Sequence, residues 1–114
     1  MARFLKIDGE NVPFEIHLLG SALGMRNRKT YIRRGREYFR PYRNYFGTGI
    51  YCADFSTWKR MVKDGYAERT DSAWSEKDEN RSYKVTAKGV RRLEDHFAVT
   101  ILLEQSGDMS RGDL

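Results

Sequence analysis

The residues best suited to chemistry in this chain are arginines, and the chemistry they suit is the binding of anions. Between Arg26 and Asn44, eight side chains are Arg or Lys and one, Glu37, is acidic, which gives a local charge of +7. The whole chain of 114 residues carries +5, so the remainder is slightly acidic. A concentrated cationic segment favours a polyanionic partner such as nucleic acid. A solvated face that serves solubility is the alternative interpretation.

Aromatic side chains alternate with these arginines. The spacing of positions 38, 42, 45 and 46 predicts a helix over residues 36–46, kinked at Pro41 or starting there. Tyr42, Tyr45 and Phe46 are then expected in the core. Arginines interleaved with tyrosines also suit phosphate contacts and base stacking, so RNA binding is a further hypothesis. The residues assigned to an anionic partner are Arg33, Arg34, Arg36, Arg40 and Arg43.

A second set of candidate contacts lies on a predicted helix over residues 54–64. Asp54 is a good N-cap, and Gly65 a good C-terminal stop. Its expected apolar face comprises Phe55, Trp58, Met61 and Val62. On the opposite face we predict contacts to bases or phosphates in the major groove of duplex DNA. The predicted contacts are Ser56, Thr57, Lys59, Arg60 and Lys63. The alternative interpretation is an ordinary solvent-exposed face without a binding role.

The other predicted elements place this helix in a small α+β fold. Pro13 precedes an apolar pattern that predicts a first helix over residues 13–23. Strands are expected at 66–70 and 82–86, joined by the polar loop 71–81. Thr86 then caps a last helix over residues 87–104, in which apolar residues recur at helical spacing. We expect one domain over residues 1–105 and a flexible tail over 106–114.

The order helix, glycine, strand, polar loop, strand and threonine-capped helix resembles a winged helix-turn-helix. The segments WKRMVKDGYAERT and DENRSYKVTAKGVRRLE are similar to the recognition helix, wing and following helix of MarR- and PadR-type regulators. The resemblance implies a mainly helical α+β winged-helix fold with a two- or three-stranded wing. It also implies duplex DNA binding and a role in transcription. The first half departs from those families, and its YRNYF segment resembles small phage-encoded proteins, which implies a viral or prophage origin.

The predicted wing favours a different function. Residues 71–81 contain four acidic side chains and only two basic ones, Lys77 and Arg81. A wing that binds phosphate should instead be basic. Trp74 stands in this polar loop, either folded onto the core or displayed to a partner. The alternative hypothesis is therefore a non-catalytic adaptor that binds a protein, with Trp74 as a contact.

Several classes of function are not indicated by the sequence. Cys52 is the only cysteine, and with the distant His17 and His96 it does not form a standard zinc site. No carboxylate pair, activated nucleophile or phosphate-binding glycine loop is recognisable, so we expect neither an enzyme nor a cofactor. No signal peptide or membrane span is apparent, and a cytoplasmic location is expected.

A second group of apolar residues lies near the end of the predicted last helix, apart from its main apolar face. Val99, Leu102 and Leu103 lie partly off the face that carries Val90 and Leu93. Such residues can pack on the N-terminal segment or on a second copy of the chain. A homodimer through the C-terminal helix, reading paired half-sites, is therefore among the expectations.

Overall fold

Helices and short strands alternate along the chain. A computed structural model describes residues 2–70 and 80–103, an α+β arrangement whose described part holds three α-helices and two three-stranded sheets. The helices are α1 (Phe14–Ala22), α2 (Phe55–Lys63) and α3 (Ala87–Phe97). The strands are β1 (Tyr31–Arg33), β2 (Arg36–Phe39), β3 (Phe46–Gly49), β4 (Ala67–Arg69), β5 (Asn80–Val85) and β6 (Thr100–Ile101).

The first helix forms where the sequence predicts it. Pro13 sits at its N-cap with a φ of −58°, a value that its ring favours, and Glu15 lies in the positively polarised first turn. Gly24 follows with a φ of +76°, and a Cβ there would overlap the ring of Tyr42. The helix buries Ile16, Leu18, Leu19 and Ala22 in the core.

The predicted helix over residues 36–46 is wrong. Residues 31–39 form an antiparallel hairpin in which Tyr31 pairs with Tyr38 and Arg33 with Arg36. The two turn residues, Arg34 and Gly35, have φ values of +55° and +76°, as a type I′ turn requires. Because that turn matches the twist of paired strands, the Arg-Gly step directs the chain back as a second strand.

The core positions expected from that helix change accordingly. Phe39 is fully buried, whereas Tyr42 and Tyr45 are 45% and 57% exposed, so their assignment to the core is wrong. Phe46 begins β3 and packs partly buried against the core. The alternation of strand side chains, rather than helical spacing, therefore selects which aromatic rings are buried here.

The second sheet confirms the two strands predicted around the polar loop. β4 and β5 are antiparallel, with Ala67 opposite Val85 and Arg69 opposite Tyr83. β3 adds a third strand on the other side of β5, giving the order β3-β5-β4. Most of the loop that joins β4 to β5, residues 71–79, lies outside the described residues.

The second helix packs on this sheet through an aromatic cluster. Trp58 is fully buried between Phe46 and Tyr83, with ring centroids 5.0 and 5.1 Å away. Gly65 ends the helix with a φ of +88°, as expected of a left-handed stop. Asp54 precedes the helix without a side-chain cap bond, and its carboxylate accepts a hydrogen bond from the Thr48 hydroxyl.

The last helix begins as predicted and ends earlier. Thr86 Oγ1 accepts a hydrogen bond from the Gly89 N–H at 3.2 Å and donates one to the Gly65 carbonyl at 2.6 Å. The helix stops at Phe97, because Ala98 turns left-handed with a φ of +57°, so the predicted continuation to residue 104 is wrong. The chain then runs parallel to β2 as β6.

This strand explains the second apolar set at the end of the sequence. Val99 and Ile101 are each 6% exposed, and the Leu102 N–H donates to the Phe39 carbonyl at 2.9 Å. The Ile101 N–H donates to Glu94 Oε2 at 2.8 Å. Val99 is thus buried within the chain and Leu103 packs against its core, so two of the three residues that motivated a C-terminal dimer are engaged in the fold.

Candidate nucleic-acid interface

One face of the β1–β2 hairpin is aromatic and basic. Because side chains alternate along a strand, Tyr31 and Arg33 on β1 share a face with Arg36 and Tyr38 on β2. The tyrosine rings stack with centroids 5.6 Å apart and an angle of 23° between their planes. We call these four residues, together with Arg34 of the turn and Arg40 after β2, the hairpin face.

Three arginines crowd the tip of this hairpin. Arg33 and Arg36 are direct cross-strand partners, and Arg34 lies in the turn between them. Within residues 2–70 and 80–103, no carboxylate forms an ion pair with any of the three. Like charges placed directly opposite each other destabilise a strand pair. This arrangement has no evident stabilising role in the fold, whereas a bound anion would reduce the repulsion between the three guanidinium groups.

A pocket opens on the hairpin face. Its volume is about 360 Å³, at the small end of the roughly 300–1,000 Å³ range of ligand sites. Cationic, aromatic and aliphatic side chains line it: Tyr31, Arg33, Arg34, Tyr38, Arg40 and Leu102. The structure thereby brings together three of the arginines assigned from the sequence to an anionic partner.

The opposite face of the hairpin is attached to the body of the protein. Glu37 accepts hydrogen bonds from Arg3 Nε and Nη2 at 3.0 and 3.1 Å, and from Thr30 Oγ1 at 2.6 Å. Arg3 Nη2 also donates to the Phe97 carbonyl at 3.2 Å. The hydrogen bond from Arg3, followed by that from Thr30, holds the pKa of Glu37 below its ordinary value. The block's single acid therefore positions the hairpin and does not neutralise its basic face.

This anchoring predicts an acid-dependent loss of stability. The pKa of Glu37 is lowered on folding. The contribution of this carboxylate to the unfolding free energy is therefore fully present above its ordinary pKa, near 4.5, and is lost as the pH falls through the lowered value. We expect the difference in unfolding free energy between the natural chain and Glu37→Gln to be constant above about pH 5 and to shrink below it. Urea titrations across this range measure it. A difference independent of pH would contradict the prediction.

Arg34 has an unfavourable backbone conformation, with a φ of +55°. A left-handed residue other than Gly, Asn or Asp costs about 1–2 kcal/mol. We therefore expect Arg34→Asn to stabilise the protein by about 1 kcal/mol in urea unfolding. The same variant should weaken nucleic-acid binding and lower the salt slope of the binding constant by about the amount that one phosphate contact contributes. Higher stability with unchanged binding would remove Arg34 from the interface.

The remaining members of the basic block serve different roles. Arg43 donates to the Ser21 carbonyl at 2.6 Å and lies 5.6 Å from the ring centre of Tyr42. The Arg40 carbonyl accepts from Arg28 Nη1 at 3.0 Å, while the Arg40 side chain lines the pocket. Arg43 is therefore turned toward α1 and is not part of the hairpin face.

The predicted contact surface on α2 is only partly available. Thr57 is 8% exposed, so its assignment as a DNA contact is wrong, and Val62, placed on the apolar face from the sequence, is 36% exposed. Arg60 Nη2 lies 3.0 Å from Glu15 Oε2, and the same carboxylate binds Arg92. Compared with the prediction, the buried side of α2 is thus shifted to residues 57, 58 and 61. Exposed polar side chains remain at Ser56, Lys59 and Lys63.

Three pocket residues, Tyr31, Tyr38 and Leu102, were not among the sequence candidates. Tyr31 lies opposite Tyr38, and the alternation of tyrosine and arginine on each side of Arg34-Gly35 was the signal that could have identified it. Leu102 reaches the pocket because β6 pairs with β2, a contact between residues more than 60 positions apart. No local pattern could have indicated that residue.

Two further observations concern metal sites and membrane spans. Among the described residues, no group of three or more His, Cys, Asp or Glu side chains could hold a metal ion. In that same part of the chain, no helix is long and apolar enough to cross a membrane. The predicted partner contact Trp74 and the predicted tail over 106–114 lie outside the described residues.

Comparison of the chain with known proteins gives no significant match to a protein-family model, a curated protein or a solved structure.

Proposed function

We propose that this protein binds nucleic acid and that the hairpin face is its main contact surface. The observation that carries the proposal is the cluster of Arg33, Arg34 and Arg36 at one turn, without an acidic partner among the described residues. Each cation that replaces a condensed counterion on a phosphate adds to affinity in a salt-dependent way. A narrow two-stranded ribbon can also enter a groove of a duplex.

The second half of the chain supports a winged-helix scaffold as part of the proposal. α2, the Gly65 stop, the β4–β5 hairpin and the Thr86-capped α3 follow in the order of that fold, and β3 completes a three-stranded wing. Residues 50–54, between β3 and α2, contain turns and no helix. A helix-turn-helix pair is therefore less well supported than the wing, and α2 is a secondary contact at most, through Ser56, Lys59 and Lys63. Transcriptional regulation and a phage origin depend on the resemblance alone.

A salt-dependent binding titration tests the proposal. The natural chain is titrated against dye-labelled duplex and single-stranded oligonucleotides, and fluorescence anisotropy is followed at several salt concentrations. We expect the logarithm of the binding constant to fall linearly with the logarithm of the salt concentration. Absence of salt-dependent binding to every oligonucleotide would refute the proposal. The alternative of a protein adaptor depends on Trp74 and the acidic loop, of which the described residues include only Asn80 and Arg81.

A further inference from the structure

We infer that the hairpin face binds single-stranded nucleic acid, with bases stacked on Tyr31 and Tyr38 and phosphates held by neighbouring arginines. This inference rests on the proposed function and specifies its substrate class. It combines the stacked tyrosine pair, the arginine cluster at the tip and the pocket that the two tyrosines line together with Arg33 and Arg34.

The aromatic rings are the reason for preferring a single strand. Tyr31 and Tyr38 are each partly exposed and both line the pocket, so they present ring surface on the outward side of the hairpin. In a duplex, each base has both faces covered by its neighbours and offers only its edges in the grooves. An unpaired base has a free face, and aromatic side chains on an open sheet surface are a common platform for it.

The arginines lie where a stacked nucleotide needs them. Arg33 follows Tyr31 by two residues on the same strand face, a separation of about 7 Å along the chain. One nucleotide can therefore touch a ring with its base and a guanidinium with its phosphate. Arg34 lines the same pocket, so an adjoining phosphate has a further cation in reach. Leu102 adds an apolar wall, as expected for a base and not for a bare phosphate site.

A purely structural role for the tyrosines makes a different prediction. A cross-strand aromatic pair stabilises its hairpin, and a pair of β-branched residues does so as well. The double variant Tyr31→Ile/Tyr38→Ile retains an apolar strand pair and removes the aromatic faces. The double variant Tyr31→Phe/Tyr38→Phe retains both. If the rings only hold the hairpin together, the two variants should bind nucleic acid alike.

The experiment compares two ligands with three proteins. Anisotropy titrations use a dye-labelled oligothymidylate of about 15 nucleotides, in the range that single-strand-binding proteins cover, and a duplex of the same length. The proteins are the natural chain and the two double variants, each first shown by circular dichroism to unfold cooperatively. Titrations of the natural chain over a range of salt concentrations give the affinity extrapolated to about 1 M salt, where phosphate contacts contribute little.

We expect the natural chain to bind the single strand more tightly than the duplex and to retain measurable affinity for it in the extrapolation to high salt. The isoleucine variant should bind the single strand about tenfold or more weakly per stacked base lost, with a smaller effect on the duplex. The phenylalanine variant should bind as the natural chain does. If the isoleucine variant does not fold, the high-salt affinity of the natural chain decides the question.

The outcomes separate this inference from the proposed function. Duplex binding equal to or tighter than single-strand binding would overturn the inference and leave nucleic-acid binding intact. Equal affinities of the isoleucine and phenylalanine variants for the single strand would overturn it in the same way. Binding of neither ligand at any salt concentration would refute the proposed function and the inference with it.

Discussion

The triple variant Arg33→Thr/Arg34→Asn/Arg36→Thr should bind nucleic acid on the order of 100-fold more weakly than the natural chain at about 0.1 M salt. The three arginines occupy one turn and pair with no carboxylate in the described residues. Loss of three phosphate contacts lowers the salt slope by about 2 for a single strand and by about 3 for a duplex. Anisotropy titrations at several salt concentrations measure both quantities.

The substitutions are chosen so that weaker binding cannot be attributed to unfolding. Threonine favours strands, and asparagine tolerates the left-handed turn position, so the variant should be at least as stable as the natural chain. The matched control, Lys6→Gln/Lys88→Gln/Arg91→Gln, removes the same amount of positive charge from exposed positions outside both the hairpin face and α2. An equal loss of affinity in the control would show that net charge, and not the hairpin face, governs binding.

Gly89→Ala should destabilise the protein by roughly 2 kcal/mol, which corresponds to a fall in Tm of roughly 10 °C. A Cβ at this position would collide with the Tyr66 carbonyl oxygen and lie 2.7 Å from Val85 Cγ1. The Tyr66 carbonyl cannot move freely, because it accepts a hydrogen bond from the Thr86 N–H at 3.1 Å. Overpacking against fixed backbone costs about 3 kcal/mol, and the better helix propensity of alanine returns only about 1 kcal/mol.

Arg91→Ala is the control for helix propensity, since this residue is exposed on the same helix. It should change Tm by no more than a few degrees. Thermal unfolding followed by circular dichroism compares both variants with the natural chain. A Gly89→Ala protein as stable as the natural one would mean that α3 can shift away from Tyr66, and that the close approach between them does not determine the helix position.

The elements that the sequence predicts correctly are those specified by neighbouring residues. Pro13 and Gly24 bound α1, Gly65 ends α2, and Thr86 starts α3, each through contacts within a few positions or a required backbone angle. The β4–β5 pair was recognisable because its strands flank a single loop. Local signals of this kind need no knowledge of the tertiary fold.

The errors concern segments whose structure depends on distant partners. The aromatic spacing of residues 38–46 suits a helix, yet β2 pairs with β1 on one side and with β6 on the other. That second pairing joins Tyr38 to Thr100, so residues 36–46 alone do not contain the information that decides between helix and strand. The last helix ends early at the left-handed Ala98, and the residues that follow join the same sheet. Among the site residues, the arginines were identifiable by charge, whereas the buried state of Thr57 and the Arg60–Glu15 pair depend on how α2 rotates against α1.

The parallel pairing of β2 with β6 also has a consequence for synthesis on the ribosome. The strand that carries Tyr38 lacks one of its two neighbours until residues 100–101 leave the exit tunnel. Until then β2 has an open edge, and a hairpin of two short strands is marginally stable in water. The hairpin of the growing chain therefore exposes its arginines before its structure is stable. A growing chain would thus carry this charge early and complete the hairpin face late.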